Sequence, residues 1–199
     1  SVDIDLSNSI NLGDEIALCD ANKDEIYATM RVTDKYSPDK QFETKNIFAT
    51  NDENHPGVKN VFLQPSINLG GPITVVNEGS FPALYDELYL RPKEARAKFD
   101  SLGWSEVSAF QTRNPMHRSH EHLVKIAAEV TDGVFIHQVL GKLKPGDIPA
   151  NIRTKAIQVM IDNYFKPNNI IQAGYPIEMR YAGPREALFH ALIRQNFGC

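Results

Sequence analysis

The sequence predicts an α/β protein in two parts: a β-rich domain over residues 1–90 and a parallel α/β domain over residues 91–199. Three observations carry this. Apolar residues recur at every second position early in the chain, at Ile16 and Leu18 and again at Ile26, Ala28, Met30 and Val32. From residue 105 onward, short apolar runs alternate with longer amphipathic stretches. Proline and glycine stand where the rhythm changes.

Taken in order, Ser1 to Leu6 alternates apolar and polar residues and predicts a strand. The polar run 20–24 separates two alternating stretches and predicts a hairpin. Residues 50–60, with Pro56-Gly57, read as a polar turn that leaves His55 in solvent, and Gly70-Gly71-Pro72 reads as another turn. A helix over 92–102 has proline at its first position and Gly103 after its end. Residues 107–110 form a strand. The helix after it takes Asn114 as N-cap and Pro115 at N1, with Leu123, Ile126, Ala127 and Val130 as its apolar stripe and Asp132-Gly133 as its stop. A strand over 134–140 follows. The next helix, 149–165, carries Ile152, Ala156, Val159 and Met160 on one face. A third strand covers 169–173, and Gly183-Pro184 opens a last helix that Gly198 ends. Such alternation implies a parallel sheet wound in the Rossmann manner, with ligands beyond the carboxyl ends of the strands.

The composition, 42% hydrophobic and 23% charged over 199 residues, is that of an ordinary globular protein. No apolar run approaches a membrane span, and the start has no basic region followed by an apolar core, so neither a membrane partner nor a signal peptide is expected. Two cysteines, Cys19 and Cys199, make no disulfide framework and fit a cytoplasmic location. A net charge of −4 argues against general nucleic-acid binding. Anionic ligands would need a local cluster of Arg and His.

That cluster is the segment Gln111-Thr112-Arg113-Asn114-Pro115-Met116-His117-Arg118-Ser119-His120. It lies between a strand and a helix, where backbone N–H groups and the helix dipole favour phosphate or sulfate. It contains no Asp or Glu. Arg113 has the planar fork that donates two parallel bonds to an oxyanion, and Gln111 adds an amide donor. His117 and His120, three apart, share one face of the first helical turns and bind phosphates when protonated. Singly, each residue reads as structural; the full run in this context points to a nucleotide or oxyanion site. A zinc site is not expected, because His122 faces away from His120 and the His-Glu-x-x-His spacing is absent. His137 and His190 read as buried structural histidines. Arg185, near the start of the last helix, reads as an anion contact or as a partner of Glu186. Residues 143–148 read as a surface turn or as a lid.

The decapeptide resembles the motif of the ATP sulfurylases (sulfate adenylyltransferases). The resemblance extends to Lys144-Pro145-Gly146-Asp147-Ile148 and to Arg185-Glu186-Ala187, and loosely along the whole chain. It departs at Gln138, where the family usually has proline. The resemblance implies a PUA-like pseudobarrel for the first domain and the first half of a nucleotidyltransferase domain for the second. It implies that the chain is an internal piece of a longer enzyme, with a second substrate motif after Cys199. It implies that Gln111 and Arg113 contact sulfate, that Thr112, Arg113 and Asn114 form an active-site triplet, and that His117 and His120 steady the transition state. All six would contact ATP. Sulfate would attack the α-phosphorus in line with pyrophosphate, without a covalent enzyme intermediate. Sulfate is fully ionised and needs no general base, so catalysis would be positioning and charge neutralisation. Mg²⁺ would arrive with ATP, and no tightly bound cofactor is implied. The partners would be ATP, sulfate, adenylyl sulfate, pyrophosphate and a second copy in a homodimer. Two rivals stand: another nucleotidyltransferase acting on a phosphorylated acceptor, and a non-catalytic nucleotide- or anion-binding module. The Gln-x-Arg pair favours sulfate over the first rival, because it supplies donors for a small tetrahedral anion.

Overall fold

The structure, a computed structural model, describes residues 1–20, 25–141 and 146–199. The chain forms two compact units, residues 1–80 with 180–187, and residues 81–179 with 188–199.

The first unit begins with a helix, α1 (Ile4–Ser9), where alternation predicts a strand. Asp3 caps it, its carboxylate accepting from the Leu6 N–H at 2.8 Å. Ile4 and Leu6 are exposed, so their spacing does not report a buried sheet face. Strands β1 (Glu15–Cys19) and β2 (Ile26–Arg31) pair antiparallel as expected, with Ile16 opposite Met30 and Leu18 opposite Ala28. Of the predicted hairpin turn, residues 21–24 lie outside the described residues. Strand β3 (Asp34–Tyr36) leads to α2 (Lys40–Phe48) and α3 (Pro56–Leu63). Pro56-Gly57 is therefore a helix start, not a turn. His55 is its N-cap: Nδ1 accepts from the Gly57 and Val58 N–H groups at 3.2 and 3.4 Å. That leaves Nε2 to donate to the Tyr181 carbonyl at 3.1 Å. The expected solvated histidine is thus a tied-down cap.

Strands β4 (Asn68–Gly70) and β5 (Ile73–Val75) flank the predicted Gly-Gly-Pro turn. The pseudobarrel is not present. Among the described residues the strands form an open three-stranded sheet, β1-β2-β5, and a separate two-stranded pair, β3-β4. Closure requires the two edges of one sheet to pair. Here β3, β4 and β5 have three residues each, and the edges of the larger sheet, β1 and β5, do not meet. At the bend between the two sheets, Arg31 donates to the Pro72 carbonyl and Thr33 to that of Gly70. Gly71 sits in this crossing, where a Cβ would lie 1.9 Å from the Arg31 carbonyl oxygen. The chain bends there and redirects its strands.

The second unit starts with α4 (Phe81–Leu84) and α5 (Pro92–Ser101). There follow β6 (Val107–Thr112), α6 (Arg118–Val130), β7 (Gly133–Val139), α7 (Ala150–Tyr164), β8 (Ile170–Tyr175) and α8 (Pro184–Phe197), whose residues from 188 on belong here. The sheet order is β6-β7-β8, all parallel. Every residue of β7, the central strand, is buried, as the two-sided cover of a parallel sheet demands. Phe135 and Ala173 pack with Phe99 of α5 and Ile193 and Phe197 of α8. Val134 and Ile136 pack on the other face with Val124 of α6 and Ile157 and Met160 of α7.

Both helix stripes on that second face are rotated from expectation. In α6, Val124 is fully buried and Ala127 and Ala128 pack beside it, whereas Leu123, Ile126 and Val130 are exposed. In α7 the buried residues are Ala150, Arg153, Ile157 and Met160; Ile152 and Val159 are 55% and 52% exposed. Each helix carries apolar residues over a wide arc, and the sheet selects which part of it is covered.

Gly133 begins β7 against Trp104, where a Cβ would fall 2.2 Å from the indole ring. Gly133→Ala is expected to destabilise this unit by about 1–3 kcal/mol through overpacking. Denaturant unfolding would measure it, and an unchanged midpoint would mean that Trp104 moves aside freely. Among the described residues, no helix is long and apolar enough to cross a membrane.

Candidate functional site

The 111–120 segment leaves the sheet at its carboxyl edge. Gln111 and Thr112 are the last residues of β6, in register with His137 and Gln138 of β7. The chain then turns. The buried Thr112 hydroxyl donates to the Asn114 carbonyl at 2.9 Å and accepts from the Asn114 N–H at 3.0 Å. This side-chain turn frees the backbone from the sheet ladder. It also commits the Thr112 oxygen to the loop.

The helix starts at Arg118, three residues later than the Asn-Pro pair predicts. Asn114 is therefore a turn residue and not the N-cap. His117 takes that position with extended backbone, φ −120° and ψ −178°. Its N–H donates to Nδ1 of His120 at 3.2 Å, which gives His120 the place of the acidic residue in a capping box. The Ser119 hydroxyl lies 3.0 Å from His117 Nδ1. The two imidazoles end up with ring centroids 4.0 Å apart.

The hydrogen bond has a protonation consequence. An Nδ1 that accepts carries no proton, so His120 in this geometry is the neutral Nε2–H tautomer. Burial and, secondarily, the neighbouring His117 push its pKa below the ordinary value. The geometry thus biases one member of the expected pair of cationic donors toward its neutral form.

Arg113 stands just past β6, partly buried, with Nη2 3.4 Å from the Asp147 carboxylate. Gly146, Asp147 and Ile148 are the described part of the 143–148 loop; Leu143, Lys144 and Pro145 lie outside the described residues. Sequence reading missed a further residue, Arg153. It lies on α7, 1% exposed. Its Nη1 donates to the carbonyls of Arg113 (2.5 Å) and Val139 (3.2 Å), and its Nε to that of Ile148 (3.1 Å). Burial lowers its pKa, opposed by Asp147 and Tyr85 and reinforced by Arg113. The available signal was an arginine inside the helical stripe Ala150, Ile157, Met160.

The other candidates fall away from this turn. His137 is fully buried among Phe135, Tyr175 and Phe197, with ring centroids 4.6, 5.2 and 4.5 Å away. Burial, then the Arg194 guanidinium, drive its pKa down to about 3. A backbone group of Gly174 opposes that shift without reaching hydrogen-bonding geometry, and both ring nitrogens lack partners among the described residues. His190 is buried, its Nδ1 2.9 Å from Arg194 Nη1. Arg185 is exposed. Glu186, one of the partners considered for it, is buried and accepts from the Arg180 and Ala182 N–H groups at 2.7 and 3.1 Å. His122 is exposed, and no group of three or more His, Cys, Asp or Glu among the described residues is placed to hold a metal. A larger recess of about 540 Å³, lined by Lys98, Thr154, Lys155 and Gln172 among others, contains none of the 111–120 residues.

A polar, carboxylate-free turn at the carboxyl edge of a parallel sheet suits a nucleotide or oxyanion. Residues 86–199 match the family model for ATP-sulfurylase, and residues 1–78 match that for a PUA-like domain; the second likeness is one of sequence and leaves the sheets open. The chain is 60% identical over 191 residues to a sulfate adenylyltransferase of Thiobacillus denitrificans, covering 96% of this chain and 48% of that protein. It is 58% identical over 193 residues to the one of Ruthia magnifica (97% and 48%), and 55% over 200 residues to the one of Syntrophobacter fumaroxidans (100% and 49%). The chain thus spans about half the length of the curated relatives it matches. A solved structure described as the hexameric APS kinase from Thiobacillus denitrificans superposes with a TM-score of 0.69 at 22% identity, over 100% of this chain and 35% of that one, a likeness of fold alone. With a family model matched from residue 86 through residue 199, this chain belongs to the ATP-sulfurylase family.

Proposed function

We propose that the protein carrying this chain transfers an adenylyl group between ATP and sulfate, giving adenylyl sulfate and pyrophosphate, or the reverse. One observation carries the reading. The carboxylate-free turn brings Arg113 past the end of β6 and sets His117 and His120 side by side at the start of α6. The relatives' name, sulfate adenylyltransferase, supports it.

In this reading Gln111 and Arg113 hold sulfate, and Thr112, Arg113 and Asn114 shape the turn against the nucleotide. Sulfate attacks the α-phosphorus in line with the departing pyrophosphate. His117 and His120 face the charge that grows on the leaving oxygens. The hydrogen bond from the His117 N–H and burial bias His120 toward the neutral form, so phosphate charge beside it would raise its pKa and nucleotide binding near neutral pH would take up protons. The donor set of 111–120 fits phosphate and sulfate oxygens, and Mg²⁺ comes as the counter-ion of ATP, as the family likeness implies. The division into a 1–90 domain and a 91–199 catalytic domain, a cytoplasmic location and a homodimer belong to the same proposal.

The test is pyrophosphate-dependent ATP formation from adenylyl sulfate by the full-length protein, with residues 1–199 alone as the low-activity reference. His117→Asn and His120→Asn each keep a donor and remove the charge, so kcat should fall more than nucleotide affinity. No turnover by the full-length protein would overturn the reading. Stoichiometric zinc that is lost in His120→Asn, with activity restored by added zinc, would overturn the role of the histidines.

A further inference from the structure

We propose that Arg153 is the positioning residue of the anion site: it fixes the backbone from which Arg113 projects, and so sets where the Arg113 fork meets its ligand. The inference rests on the reading of Arg113 as the anion grip.

Three chain segments end at this guanidinium. The Arg113 carbonyl lies one residue past β6, the Val139 carbonyl closes β7, and the Ile148 carbonyl precedes α7. Arg153 donates to all three from a site 1% exposed. A buried carbonyl without a donor is costly, and few side chains reach several acceptors in fixed directions. Arginine's planar fork does so, and lysine's point charge does not.

The arrangement also separates positioning from direct binding. Arg153 Nη2 has no partner among the described residues. The Arg153 residue borders a recess of about 10 Å³ together with Arg113, Asp147 and Gly141. That space is on the scale of one water and far below a tetrahedral oxyanion. Arg153 therefore acts on the anion through Arg113, while Asp147 meets the Arg113 side chain at 3.4 Å. Backbone and side chain of Arg113 are held by different partners.

The experiment is a double-mutant cycle in the full-length protein: wild type, Arg153→Lys, Arg113→Lys and the double variant, with kcat/KM for sulfate and KM for ATP per folded molecule. Arg153→Lys should lower kcat/KM for sulfate about tenfold or more and raise KM for ATP by a smaller factor, because the Thr112–Asn114 hydrogen bonds hold the nucleotide side of the turn independently. In the Arg113→Lys background the further loss should shrink below about threefold, because residues that act through one another are not additive. Equal losses in both backgrounds, or no loss in Arg153→Lys, would overturn the inference. Arg153→Gln is the second variant if lysine does not fold there; failure of both to fold would make Arg153 scaffold only and overturn it as well. Calorimetric titration with sulfate runs beside the kinetics. Sulfate binding without turnover, weakened in Arg153→Lys only when Arg113 is present, would sink the transferase reading and keep the positioning role. A wild type that neither turns over nor binds sulfate would remove both.

Discussion

Arg113→Lys in the full-length protein is expected to lower kcat by about 10²–10³, the range for losing one transition-state oxyanion donor. The charge survives this substitution and the fork does not. A guanidinium donates two parallel hydrogen bonds to a tetrahedral oxyanion, and an ammonium offers a compact, strongly hydrated point charge. The geometry makes the experiment clean. Arg153 holds the Arg113 backbone carbonyl, not its side chain, so the turn should persist in the variant. The Thr112–Asn114 hydrogen bonds are likewise untouched. Lysine can still meet Asp147 as a point charge. The steady-state constants for sulfate decide the outcome. An unchanged kcat with a modestly raised KM would mean that Arg113 binds ground and transition states equally, and that the rate comes from elsewhere.

The second large effect is on stability in acid. His137 is fully buried, and its pKa falls from the ordinary 6.5 to about 3 through burial and the neighbouring Arg194. The unfolded chain binds the proton first. Between pH 6.5 and about 3 it therefore carries more protons than the folded chain at this residue, and stability rises with pH across that window. The contribution is complete above pH 6.5 and is lost progressively as pH falls. At about 1.4 kcal/mol per unit, acidification from pH 6.5 to 5 should cost about 2 kcal/mol from His137 alone. His120, also shifted down, acts in the same direction. His137→Phe keeps an aromatic ring among Phe135, Tyr175 and Phe197 and removes the titration. Unfolding curves at pH 7.5, 6.5, 5.5 and 5.0 should show a flatter profile for the variant. Parallel profiles for wild type and variant would assign the acid sensitivity to other groups.

The parallel sheet was legible in the sequence because its signals are local and repeated. The 107–110, 134–140 and 169–173 runs appear as β6, β7 and β8 with small shifts at their ends. The first unit was less legible. Its opening alternation belongs to a capped helix, and Pro56-Gly57 opens a helix under His55. The closed barrel failed because the short strands divide at a bend near Gly71 into two open sheets. At the candidate site the residue types and their order were plain, but the helix start and the charge state were not. Asn-Pro is a good cap signal by itself, and the Thr112 hydroxyl and the His117–His120 bond override it.

By itself the sequence determined the alternating second half of the chain, the polar turn at 111–120 and the family, because each is written in contiguous residues. Only the tertiary structure decided which helix faces are buried, how the sheets of the first unit end, and that Arg153 joins the candidate site. Arg153 and Arg113 stand 40 residues apart, and Arg153 and Val139 stand 14 apart. No local pattern encodes such a contact. A buried guanidinium finds its acceptors only when three chain ends are brought to the same edge of the sheet.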